Sequence, residues 1–206
     1  MTYRVGFTKS MKKGIYLVLL TTTISGFSVF ANKIFVSQTE PLVFTTVRNV
    51  MVAGFLTGAL LFTGKSTSLR LLRSLKKDEW IKLLFIGIFG GGVAFALFFT
   101  GLSQIGAVQG NLIHKSLFLW VGFMAIPFLH ERPTVKQIVG YGLIFWATYF
   151  VAGQQQFILN KGALMVLGAT ILWALENIVA KVTLKTVPSQ IVGWARITIG
   201  VPVLFG

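Results

Sequence analysis

The chain has no cysteine, which excludes disulfides and thiolate metal sites and leaves the compartment open. Acids are nearly as scarce. Glu40, Asp78, Glu79, Glu131 and Glu176 are the whole set, and the two histidines, His114 and His130, stand sixteen residues apart. No metal site is expected from so few and so scattered ligands, and no cofactor is called for. The chain also lacks a G-x-x-x-x-G-K-[ST] loop, an H-E-x-x-H pair and a Ser-His-Asp set, so nucleotide-dependent and hydrolytic chemistry have no motif to stand on.

Charge of any kind is thin. Only 12% of the 206 residues are charged and 54% are hydrophobic, where soluble domains carry about 25% charge. Mean hydropathy is +0.78. These values place the chain among polytopic membrane proteins, with the lipid bilayer as its first partner. The net charge of +14 would suggest nucleic acid in a soluble protein. Here the basic residues cluster between apolar runs, which is the orientation signal of membrane loops, so nucleic acid is not an expected partner.

The apolar runs predict seven helical spans, at about residues 14–36, 41–62, 80–102, 106–128, 135–153, 162–184 and 189–206. Arg4, Lys9, Lys12 and Lys13 precede the first, a pattern that signal peptides share, but the length of the run and the spans that follow favour a transmembrane helix. Thr39 is a candidate cap and Pro41 a first-turn residue for the second span. Gly54 and Gly58 offer it a close-packing face. The stretch from Lys65 to Lys77 reads equally as a short basic helix on an anionic leaflet or as a solvated loop. Gly87, Gly90, Gly91 and Gly92 predict that the third span packs tightly on a neighbour. Thr134 and Gln137 form a capping box for the fifth. Basic loops place the N-terminus, residues 65–77 and the Arg132/Lys136 turn in the cytoplasm of a cell membrane.

The fourth span carries Asn111, His114 and Lys115 in its middle. Their i, i+3, i+4 spacing puts them on one helical face, which must meet a partner or a cavity rather than lipid. Glu176 is the sole acid deep in a span, so its expected neighbours are the cations Lys115, Arg48 and Arg196 or a protonated His114. Asn177 adds hydrogen-bonding capacity beside it. Each has a purely structural reading as well: Glu176 in an ion pair that fixes helix packing, Arg48 and Arg196 reaching toward a membrane face, His114 as a hydrogen-bonded core residue that donates to Asn111 or a carbonyl. Trp120, Trp146, Tyr149 and Trp173 either wall a pocket or belong to interfacial aromatic belts.

A shift of 148 residues aligns Lys13 with Lys161, Gly14 with Gly162, Thr22 with Thr170, Lys33 with Lys181 and Arg48 with Arg196 without a gap. Five spans is an odd number, so a second unit of this kind lies upside down relative to the first. The expected fold class is therefore an all-α, polytopic transmembrane helix bundle of inverted five-helix repeats, with the first at 1–160 and an incomplete second at 161–206.

On two segments the chain resembles the EamA-like family of the drug/metabolite transporter superfamily. One is the fourth span and its exit, N-L-I-H-K-S-L-F-L-W-V through P-F-L-H-E-R-P-T-V-K-Q-I-V-G. The other is G-A-L-M-V-L-G-A-T-I-L-W-A-L-E-N-I-V-A-K. Two departures stand out: His130 takes the place of the usual glycine before Glu131-Arg132, and Phe118 the place of a common proline. The resemblance implies ten helices, of which three lie beyond this sequence, and a substrate path between the repeats. It implies a secondary transporter of small metabolites and not an enzyme. The excess of cations over the one deep acid favours amino-acid-like or other anionic or zwitterionic metabolites as the exported solutes, moved by alternating access; His114, of a residue type that titrates near neutral pH, is the candidate for proton coupling, and a homodimer is the expected assembly. A membrane-embedded enzyme using His114 as base and a non-functional transporter fragment are the alternatives.

Overall fold

The computed structural model describes residues 9–131, 133–152 and 159–205. Among them the chain is helical throughout, with no strand. The helices are α1 Lys9–Gln38, α2 Pro41–Ser74, α3 Lys77–Phe85, a π-helical segment Ile86–Val93, α4 Ala94–Gln104, α5 Ala107–Lys115, α6 Leu117–Leu129, α7 Val135–Ala152, α8 Lys161–Thr183 and α9 Ser189–Phe205. Five stretches among the described residues are long and apolar enough to cross a bilayer: Gly14–Val36, Pro41–Phe62, Lys77–Gln104, Ala107–Leu129 and Lys161–Thr183. The other two expected spans are the shorter helices α7, of 18 residues, and α9, of 17. The molecule is an all-α, multi-pass membrane protein.

Helix ends follow local chemistry. Pro41 opens α2 as expected, its missing N–H falling where a helix start has no intrahelical acceptor anyway. Thr39 is not the cap, because its hydroxyl donates back to the Phe35 carbonyl at 2.8 Å and Glu40 takes the cap position. The capping box of α7 forms: the Thr134 amide donates to Gln137 Oε1 at 2.8 Å and the Gln137 amide donates to Thr134 Oγ1 at 3.4 Å. Asn160 caps α8 by accepting from the Ala163 amide at 2.9 Å. The basic stretch after Phe62 is carried on α2, which runs unbroken to Ser74. α6 ends at His130, the one described non-glycine residue with positive φ, at 54°. A left-handed residue just past a helix end is where glycine is favoured, which gives a physical reason for the glycine that the resemblance led us to expect there.

The centre of the bundle is the continuous helix Lys77–Gln104. α8 lies against its α4 half and α9 against its π segment; α9 also meets α2, and α8 also meets α5 and α6. One buried cluster joins Phe98, Phe99, Leu102, Ile113, Val166, Ala169 and Trp173. A second joins Leu83, Ile86, Val187, Ile191 and Ala195. The glycines of the π segment make the approach of α9 possible. A Cβ on Gly91 would fall on the Arg196 carbonyl oxygen, and one on Gly200 would fall on the Gly91 backbone. Where lipid replaces water, close backbone approach of this kind supplies the packing that a hydrophobic effect between helices cannot. Gly54 and Gly58 behave differently from expectation. A Cβ on either would meet nothing within 4 Å, because α9 meets α2 elsewhere. α1 and α7 turn Phe27, Phe30, Phe145, Trp146 and Tyr149 outward, the placement that the belt reading of Trp146 and Tyr149 calls for.

Candidate functional site

The polar interior is assembled where α2, α4, α8 and α9 face one another beside the π segment. π turns leave main-chain groups outside the i to i+4 ladder and occur often at functional sites. Two side chains from neighbouring helices satisfy carbonyls of this one. Trp173 Nε1 on α8 donates to the Gly90 carbonyl at 3.0 Å, and Asn49 Nδ2 on α2 donates to the Gly91 carbonyl at 3.4 Å. Gly90 has a second use. A Cβ there would strike the Glu176 carboxyl group, so the missing side chain is what lets an acid come down onto the central helix.

Glu176 is buried, with 6% of its side chain exposed, and Arg196 Nη2 stands 2.9 Å from its Oε2. The approach brings the charges together while lying off the line of a hydrogen bond, since Glu176 Oε2 has no hydrogen-bond partner among the described residues. Arg196 leans its guanidinium over the Phe95 ring at 5.7 Å. Arg48 comes to the same ring from α2 at 5.4 Å and lies 5.5 Å from the centroid of Phe99. Cation–π contact of this kind favours a desolvated guanidinium by about 2 kcal/mol, but it leaves the N–H donors of the group without acceptors. Among the described residues no acid lies within ion-pair distance of Arg48.

The fourth span divides its polar residues. It is two helices, α5 and α6, joined at Ser116, whose hydroxyl donates to the Ile113 carbonyl at 2.6 Å and accepts from Trp120 Nε1 at 3.2 Å. Trp120 therefore serves this joint and not the charged site. His114 and Lys115 are consecutive, so they point about 100° apart around the axis. His114 turns inward and packs its ring edge-on against Trp173 at 5.0 Å and Phe98 at 5.2 Å. Its Nδ1 is buried without a hydrogen-bond partner among the described residues, so this nitrogen makes no bond there to Asn111 or to a carbonyl. Lys115 is exposed and Asn111 half-buried. Asn177 is exposed too, its amide donating to the Trp173 carbonyl of its own helix at 2.8 Å.

Of the residues expected to gather, then, the structure unites Arg48, Arg196 and Glu176, with His114 reaching the same aromatic layer through Trp173. Lys115, Asn177 and Trp120 lie apart from it. Lys181, near the end of α8, pairs with Glu131 at 2.5 Å. Sequence reasoning missed Phe95, Phe98 and Phe99, whose i, i+3, i+4 spacing was a visible signal, and Asn49, which was overlooked beside Arg48.

The model of a family described as "EamA-like transporter family" matches residues 12–153. A protein of Methanothermobacter thermautotrophicus described as "Uncharacterized transporter" is 23% identical over 185 residues, which is 81% of this chain and 52% of that protein. The chain thus spans about half the length of the curated relative it matches. No solved structure matches it.

Proposed function

The chain belongs to the EamA-like transporter family, and from that premise we propose that it works as a secondary transporter, exporting small amino-acid-like or other anionic or zwitterionic metabolites by alternating access. The observation that carries this reading is the charged interior. Arg48, Arg196 and Glu176 are held beside a π segment in an otherwise apolar bundle. Charged side chains within the bilayer cost at least about 3 kcal/mol each on insertion scales and mark solute paths where they persist. One acid against two guanidiniums leaves excess positive charge, which suits a solute bearing an anionic group. The helices after residue 160 press onto those before it at this place, which is where an inverted-repeat transporter carries its substrate. In our reading the two stretches 1–160 and 161–206 are the first repeat and the opening of the second, the N-terminus is cytoplasmic in the plasma membrane, and His114 relays the coupling proton.

Protein reconstituted into liposomes and offered a panel of amino acids and other small carboxylates should move at least one of them, faster with an imposed pH gradient. Movement of no panel member, in either direction and with or without the gradient, overturns the proposal.

A further inference from the structure

The two guanidiniums that meet at the Phe95 ring have a feature that their contacts within the bundle leave unexplained. Arg48 Nη1 and Arg196 Nε are both buried and both lack a hydrogen-bond partner among the described residues. Buried donors on a charged group are costly to leave unpaired, and here two of them come from different helices to one aromatic ring. Arg196 has a carboxylate already, but Glu176 meets it through Nη2 and leaves Nε aside. Arg48 has none. It also lines an open groove of ≈ 450 Å³ with Val43, Phe44, Val47, Met51 and Val52, so its stem runs from an accessible surface inward to the rings.

We propose that Arg48 and Arg196 form a carboxylate-binding subsite with Phe95 as its floor, and that Glu176 holds Arg196 in place by sharing it with the ligand. This rests on the transporter reading and narrows it to a solute class. The charge balance selects the class. Two guanidiniums and one carboxylate sum to +1, which a single carboxylate neutralises, whereas a phosphate carrying nearly two charges would leave the buried site negative. Guanidinium geometry fits as well, since its parallel N–H groups match the two oxygens of a carboxylate. The apolar wall of Phe95 and Phe99 leaves the rest of the ligand an apolar or aromatic neighbour. Glu176 acts here as a positioning residue and as a competitor. Its own carboxylate occupies one edge of Arg196 and opposes a second negative charge nearby.

The test needs no transport. Purified protein in a neutral detergent is titrated at constant ionic strength with acetate, benzoate, inorganic phosphate and benzylammonium, and the unfolding midpoint and tryptophan emission are followed. Benzoate should bind saturably, more tightly than acetate because of the rings. Phosphate and benzylammonium should not. Arg48→Met should weaken benzoate by at least about tenfold, the loss expected for one charge-assisted pair, while Arg48→Lys, which keeps the charge, should retain part of the binding. Glu176→Gln should tighten benzoate by severalfold, a change that a merely structural acid would not produce. Absence of saturable benzoate binding, a preference for phosphate or benzylammonium, or weaker benzoate binding in Glu176→Gln would each overturn the subsite. Should liposomes show no transport while benzoate binds as described, the subsite stands and the transporter reading falls.

Discussion

At Gly91 the place of a side chain is taken by the backbone of α9, with the Arg196 carbonyl oxygen lying where a Cβ would be. Backbone cannot swing aside as a side chain does. Gly91→Ala must therefore push α9 away from the π segment, and we expect a loss of about 3 kcal/mol, at the upper end of overpacking penalties, read as a lowered unfolding midpoint in detergent. Gly54→Ala serves as the control, since a Cβ there meets nothing within 4 Å; it should leave the midpoint within about 0.5 kcal/mol, as surface substitutions do. At this scale the sequence was partly legible. Glu176 announced itself as the one acid deep in a span, and its partner was among four named cations. That the partner is Arg196 and not Lys115 depends on how closely α9 and α8 approach across Gly90 and Gly91. No spacing along one helix reports that distance between helices.

At the scale of the element, the third span was read as a helix and is one, but its π winding between Ile86 and Val93 was not legible. Hydrophobic periodicity reports which residues face the core, whereas a π turn is a change of hydrogen-bond register that apolar residues all round, such as I-G-I-F-G-G-G-V, do not reveal. The Ser116 joint was hidden for a similar reason, because serine is common enough inside spans to pass without notice. The winding depends on outside help, which gives a prediction. Trp173→Phe keeps an aromatic ring near Phe95 and Phe98 but removes the donor to the Gly90 carbonyl. A buried carbonyl left without its partner costs about 1–3 kcal/mol. We expect a destabilisation in that range, with faster amide exchange confined to residues 86–94.

For the whole molecule, the sequence gives the composition class and the order of helices plainly, since length and apolar content decide whether a segment can cross a bilayer. Which helices sit at the centre was harder to read. α1 is as apolar as α8, yet among the described residues of α1 only Val36 is buried, against ten in α8; hydropathy cannot tell lipid from protein as the apolar neighbour. The proposed orientation has a direct check, helped by the lack of native cysteine. With the N-terminus cytoplasmic, Gln104→Cys should react with an impermeant thiol reagent added outside intact cells, and Ser74→Cys only after permeabilisation; both positions are exposed. The reverse pattern would invert the topology.

The π winding also bears on how relatives of this chain should be compared. A helix of 3.6 residues per turn advances about 100° with each residue, and a π turn accommodates one more residue before the face repeats. Residues 77–85 and 94–104 are therefore out of phase, by one residue, with the faces that an uninterrupted α-helix would give them. A homologue that omits one amino acid from this interval can keep Leu83 against α9 and Phe98 against α8 with ordinary helical winding throughout. A single-residue gap inside a membrane span is here the mark to expect of a relative that lacks the wide turn.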